Sequence, residues 1–200
     1  MAVLGRPREF DRAAALKAAM GVFWRNGFTS TSMNDLCEAM GIRSPSLYAA
    51  FGSKEALYVE ALEHYIAARG QPVWDQLSQG ATAKESVARM LYAATQSLPA
   101  KATPTGCMAT LAALSDAWPK PLADKAKTFR RQMLGLLRSR LRAAVSHGEL
   151  DPSTDIERLS RFYLGVFQGM AVQARDGATV SDLQGVAETA MQAWPPHPAN

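Results

Sequence analysis

Between Gly41 and Gly52 the chain reads GIRSPSLYAAFG, and it is here that side chains suited to gripping an anion or a base edge are most concentrated. Arg43 is the only long donor in the stretch. Its planar guanidinium suits either a phosphate or a bidentate contact with guanine O6 and N7. Ser44 and Ser46 add short hydroxyl donors, and Pro45 offers an apolar face to a thymine methyl. No catalytic constellation stands out anywhere else. His64, His147 and His197 are scattered, neither HExxH nor GxSxG occurs, and no glycine-rich phosphate loop follows a strand. His147 reads as a residue closing a helix C-terminus, where a cation is favoured. The two cysteines, Cys37 and Cys107, are seventy residues apart and suggest neither a disulfide framework nor a zinc site. No metal and no cofactor is expected. Cys37 reads as a small hydrophobe. Cys107 follows a loop and begins a helical stretch, a position that favours thiolate. It suits an oxidant or electrophile sensor; the plainer reading is a small buried residue at a tight corner.

The elements that must position Arg43 are legible on either side of it. Met33, Leu36, Cys37 and Met40 fall on one helical face, with Thr31 or Ser32 as N-cap. Gly41 stops that helix, because glycine takes the left-handed conformation without steric cost. Ser44 is expected as the next N-cap and Pro45 as the first helical residue. Leu47 and Phe51, four apart, give this second helix a buried edge. Ser53 caps a third, with Lys54 and Glu55 in its first turn. Two short helices around a glycine turn form the helix-turn-helix pattern. Ahead of it a helix is expected from about Phe10 to Asn26, with Leu16, Ala19 and Phe23 inward and Gly27 ending it. Met1 to Arg8 reads as an arm; Arg6 and Arg8 either follow a nucleic-acid backbone or belong to a solvated terminus.

Gly5 to about Tyr65 resembles the DNA-binding region of TetR/AcrR-family transcriptional regulators. The resemblance rests on GRP at 5–7, FWRNGF at 23–28, TSMNDL at 31–36, MGI at 40–42, PSLY at 45–48 and FGSKEAL at 51–57, in that order and spacing. The remaining two thirds matches only in length and helical layout. The resemblance implies that the Tyr48 hydroxyl bonds a phosphate, packing within the head being its alternative. It also implies that Lys54 and the helix N-terminus beside it hold phosphate, as does Ser32 opening the preceding helix. Ala49-Ala50 departs from the pattern, standing where many relatives carry large side chains, so more specificity is expected to rest on Arg43 and on DNA shape.

Charge and composition agree with that resemblance. The net charge is +4 over 200 residues, but residues 1–54 hold seven basic and four acidic side chains, and the other 146 hold fifteen and fourteen. A positive excess beside a helix-turn-helix is the footprint of phosphate binding. Apolar residues make up 48%, enough for a sizeable core, and abundant Ala, Leu and Met favour helix. No apolar run of about eighteen residues is present, so no membrane span and a cytoplasmic location are expected.

An all-α fold of nine or ten helices is expected: a three-helix head over 1–53, an effector-binding and dimerisation body over 54–194, and a disordered tail over 195–200. The third head helix is expected to run to about Arg69 and break at Gly70-Gln71-Pro72. Further helices are expected over about Thr82–Leu98, Cys107–Ala117, Asp124–Ser146, Ile156–Arg175 and Val180–Trp194, with Pro119 and Pro121 closing the second of these. Trp74, Tyr92, Cys107, Met108, Trp118, Phe129 and Phe167 are candidates to line an effector pocket, each with plain core as its alternative. Phe129, Met133, Leu137 and Leu141 on one long helix and Phe162, Gly165, Val166 and Gly169 on the next are candidates for a dimer interface. Two glycines four apart in a helix interior cost roughly 1 kcal/mol each relative to alanine, which close approach of another helix would offset. The expected function is an effector-released, homodimeric repressor of a pseudopalindromic operator. The alternatives are a redox- or electrophile-responsive regulator acting through Cys107, and a helical small-molecule binding protein or enzyme with a vestigial head.

Overall fold

The computed structural model describes residues 10–99, 104–112 and 119–196. The arm with Arg6 and Arg8, the inner part of the proline-rich loop, the expected helix beyond Ala112, Trp118 and the last four residues lie outside the described residues. Among those described there are helices and turns and no strand. They form two compact units that divide between His64 and Tyr65.

The first unit holds α1 (Arg12–Asn26), α2 (Met33–Met40), α3 (Ser44–Phe51) and most of α4 (Lys54–Tyr65). Asp11, not Phe10, opens α1: its carboxylate accepts from the backbone N–H groups of Ala13 and Ala14 at 2.9 and 3.1 Å. Ser32 and Asp35 make a reciprocal capping box at the start of α2. Gly41 ends α2 at φ 64°, and Ile42 N–H closes back onto the Cys37 carbonyl at 3.1 Å. Arg43, rather than Ser44, occupies the N-cap position of α3, without a side-chain cap; Ser44 is the first helical residue and Pro45 the second. The expected cap shifts by one because the Arg43 backbone is extended, at ψ 154°, and its carbonyl accepts from Ser46 and Leu47. Tyr58 then packs edge to face on Phe23 and Phe28, with ring centroids 5.0 and 5.5 Å away, while Phe23 and Phe28 stack at 6.3 Å. Burial of Phe23, Leu36, Leu47, Phe51, Leu57 and Leu62 completes this core.

The helix does not break where Gly70-Gln71-Pro72 was expected to break it. After α4 the chain makes one π-helical turn (Ile66–Gly70), closed by Gln71 N–H on the Ile66 carbonyl, and continues as α5 (Gln71–Trp74) and a 3₁₀ turn (Asp75–Ser78). Pro72 is the second residue of α5, directly after the π-helical turn. Gly70 lies against Phe129; a Cβ there would meet the ring edge at 3.5 Å.

The second unit continues with α6 (Ala83–Ser97), α7 (Met108–Leu111), α8 (Lys120–Ser146), α9 (Ile156–Arg175) and α10 (Val180–Gln192). Pro119 and Pro121 stand at the start of α8, Pro119 as the N-cap residue, and the end of the segment they were expected to close lies outside the described residues. α8 packs on α9, α10 packs on α6 and α9, and α7 meets α8 and α9. Glu149 ties two of these together. Its carboxylate accepts from Ala83 N–H at the start of α6 and pairs with Arg140 at 3.6 Å, while Arg140 Nε donates to Ser86 Oγ at 3.1 Å.

Gly41 sets the angle between α2 and α3, and nothing crowds its missing side chain. Gly41→Ala should therefore lower stability by about 1–2 kcal/mol through backbone strain alone, read as a fall in the urea midpoint of the full chain.

Candidate DNA-reading face, body core and dimer face

In α3 the two apolar residues, Leu47 and Phe51, are buried, and Ser44, Pro45, Ser46, Tyr48 and Ala49 are exposed. Arg43 is exposed just before them, and Ser32 opens α2 on the same unit. Arg43, Ser44, Ser46 and Tyr48 have no side-chain hydrogen bond or ion pair among the described residues, so their polar groups are available to an outside partner. Tyr48 is 47% exposed, so about half of its surface faces outward and the rest is covered by the head. Ser32 is partly engaged: its hydroxyl oxygen accepts from Asp35 N–H at 3.1 Å, leaving its own O–H to donate. Lys54 is half-buried with Nζ 4.3 Å above the Phe28 ring. Burial pulls this ammonium below its ordinary value, Glu55 and then Asp35 partly restoring it. Asp35 itself lies below the usual carboxylate range, chiefly through the backbone and hydroxyl of Ser32.

Sequence reading missed Arg12. Its guanidinium forks onto Glu60 with both oxygens at 2.9 Å, donates to the Ala50 carbonyl at 3.2 Å, and lies 4.4 Å above the Phe51 ring. It thus clamps the end of α3 to α1 and α4. Thr31, the other N-cap candidate of α2, does not cap it; it is buried, and its hydroxyl donates back to the Gly27 carbonyl at 2.6 Å. Arg12 has no local sequence signal, because its partners lie 38 and 48 residues along the chain.

The effector candidates separate into two groups. Trp74, Cys107, Met108, Phe129 and Phe167 are all buried in the second unit, with the Trp74 and Phe167 rings edge to face at 5.0 Å. The Cys107 thiol is 2% exposed and hydrogen-bonds with the Tyr65 hydroxyl. Burial first, then Cys107, holds that phenol well above its usual range. Arg130 anchors the same region, donating to the Ala109 carbonyl at 3.2 Å. The Trp74 indole N–H and the Thr110 hydroxyl are buried without a hydrogen-bond partner among the described residues. Tyr92 does not belong with these residues. It is 58% exposed and lines shallow outer grooves with Gln76, Arg89, Gln184 and Met191. Trp118 lies outside the described residues.

The dimer candidates also divide. Phe129, Met133, Leu137 and Leu141 are buried within the single chain and pack as its core. Their period marks the inner face of α8. On α9, Phe162 is 41% exposed, Gly165 is exposed, and Val166 and Gly169 are partly so. A Cβ at Gly165 or Gly169 would meet nothing within 4 Å, so none of the described helices offsets their cost. From α8 the exposed apolar residue is Leu136, at 49%, beside exposed Gly135. The adjacent pair Leu136-Leu137 held the signal, since neighbours on a helix cannot both face inward.

Residues 15–61 match the family model described as bacterial regulatory proteins, tetR family, and residues 83–190 match the tetracyclin repressor-like C-terminal domain. The chain is 34% identical over 197 residues to the HTH-type transcriptional repressor ComR of Escherichia coli K12, covering 96% of this chain and 92% of that protein. It is 35% identical over 106 residues to the repressor BdcR of the same organism, covering 53% of this chain and 54% of that one. Among solved structures, a cysteine mutant of the TetR family transcriptional regulator CifR, complexed with 26 bp double-strand operator DNA, superposes with a TM-score of 0.90 at 42% identity. That similarity covers 96% of this chain and all of the other.

Proposed function

The chain belongs to the TetR family of bacterial regulatory proteins, and from that premise we propose how it binds DNA, pairs with itself and lets go. It is a DNA-binding transcriptional regulator that represses its target and is released by a small-molecule effector. Two copies place their α3 helices in successive major grooves of a pseudopalindromic operator, roughly 34–36 Å apart or a little more. The observation that carries this is the row of exposed side chains without partners, Arg43, Ser44, Ser46 and Tyr48, on a head whose relative CifR is solved on operator DNA. Arg43 reads a guanine edge, Tyr48 and Ser32 hold phosphate, and Lys54 adds its charge at the N-terminus of α4.

The second copy docks on the α8–α9 face formed by Leu136, Phe162, Gly165, Val166 and Gly169. Its exposed apolar side chains and open glycines leave room for a helix to approach closely. Trp74, Met108, Phe129 and Phe167 supply an apolar surround for an effector. The effector acts by binding more tightly to the state whose heads no longer fit the operator.

The Cys107 reading is not adopted, because the thiol is sealed and already engaged with Tyr65. The second alternative, a vestigial head, leaves the outward Arg43 without a task.

Operator affinity should fall steeply as salt rises, since phosphate contacts release counterions. Arg43→Ala should cost roughly 1–3 kcal/mol at one base pair per half-site; a loss equal across all sequences, measured by fluorescence anisotropy, would reassign it to phosphate. Gly165→Leu should convert the dimer to monomer in sedimentation equilibrium at low micromolar concentration, and a wild-type chain that sediments only as monomer would end the dimer reading. Cys107→Ser should bind operator like the wild type, and hydrogen peroxide should leave wild-type binding unchanged; peroxide release that disappears in the variant would restore the thiol sensor.

A further inference from the structure

α3 is a reading helix with almost nothing long to read with. Leu47 and Phe51 mark its buried direction. At about 100° per residue, Ala49 falls about 180° from the mean of those two, at the centre of the outward face, with Pro45 and Ser46 on its flanks. Ala49 is exposed, whereas Ala50 beside it is half-buried and has its carbonyl held by Arg12 at 3.2 Å. The residue that enters the groove most deeply is therefore a methyl group. A methyl cannot reach for a hydrogen bond, but it does two things. It lets the helix backbone come close to the base edges, and it presents an apolar surface there. Among the four base pairs, only those containing thymine offer an apolar group in the major groove, the 5-methyl.

We propose that Ala49 is a specificity-determining residue that selects a thymine in each half-site by packing its methyl against the thymine 5-methyl. The inference rests on the regulator reading above and adds a base preference at a position where side-chain length had suggested lost contacts. Arg43 at the N-terminus of α3 and Ala49 at the centre of its outward face then read different chemistry, a polar edge and an apolar one. Any large side chain at 49 would hold the helix away from the groove floor, so the small residue itself shapes the contact.

The test begins with selection of duplexes from a random pool by the full-length protein, followed by replacement of each thymine of the enriched site by deoxyuridine, which removes only the 5-methyl. Wild-type protein should lose about fourfold in affinity per half-site at one thymine, the amount expected when one methyl goes unburied. In Ala49→Gly the same replacement should change nothing. Because each comparison is between two duplexes on one protein, any partial unfolding of the variant cancels. Indifference of the wild type to every deoxyuridine, or equal sensitivity in Ala49→Gly, overturns the assignment while leaving the regulator reading intact. A pool that enriches no duplex overturns both.

Discussion

An eight-residue helix such as α3 (Ser44–Phe51) is too short to be stable in water by itself. Its existence depends on burying Leu47 and Phe51 against the head, and its direction depends on what holds its two ends. Gly41 sets the entry, with its left-handed backbone and the Ile42 bond back to Cys37. Arg12 sets the exit, reaching across from α1 to cover Phe51, hold the Ala50 carbonyl and pair with Glu60. A reading helix can be precise only if these attachments make it rigid, and here both lie outside the helix itself. The exposed ion pair contributes little energy alone, but its stacking on a buried ring and its carbonyl bond give it fixed geometry.

That arrangement frees the outward face from any structural duty. Ser44, Pro45, Ser46, Tyr48 and Ala49 touch little within the chain, so their identities are set by what lies outside it. Phosphate contacts position such a helix and base contacts specify it. With one guanidinium at one end and a methyl at the centre, close approach replaces reach as the means of discrimination.

The second unit solves a different problem. α8 and α9 each present one face to the interior and one to solvent, and the outward faces carry Leu136, Phe162 and open glycines. Large apolar side chains left outside cost solubility unless something covers them. Within, the Trp74 indole N–H and the Thr110 hydroxyl, like Arg138 Nε, find no hydrogen-bond partner among the described residues, which is uncommon for buried polar groups. Tyr65, at the start of this unit, meets Cys107 directly before the π turn, a kind of helix irregularity frequent at functional sites.

The sequence by itself determined the helix-turn-helix, the outward polar residues at its tip and the helical character of the body. Those properties follow from local rules: apolar spacing, glycine at a left-handed position, and caps three residues from the groups they satisfy. Only tertiary structure decided the rest. Whether Gly70-Gln71-Pro72 ends a helix or rides through it depends on packing around that turn, not on the tripeptide. Which of two apolar faces of α8 is core was equally open, because Phe129, Met133, Leu137 and Leu141 have the same period whether they meet their own chain or another. Arg12 and Glu149 act through partners far along the chain, and no spacing in a single sequence reveals a contact of that kind.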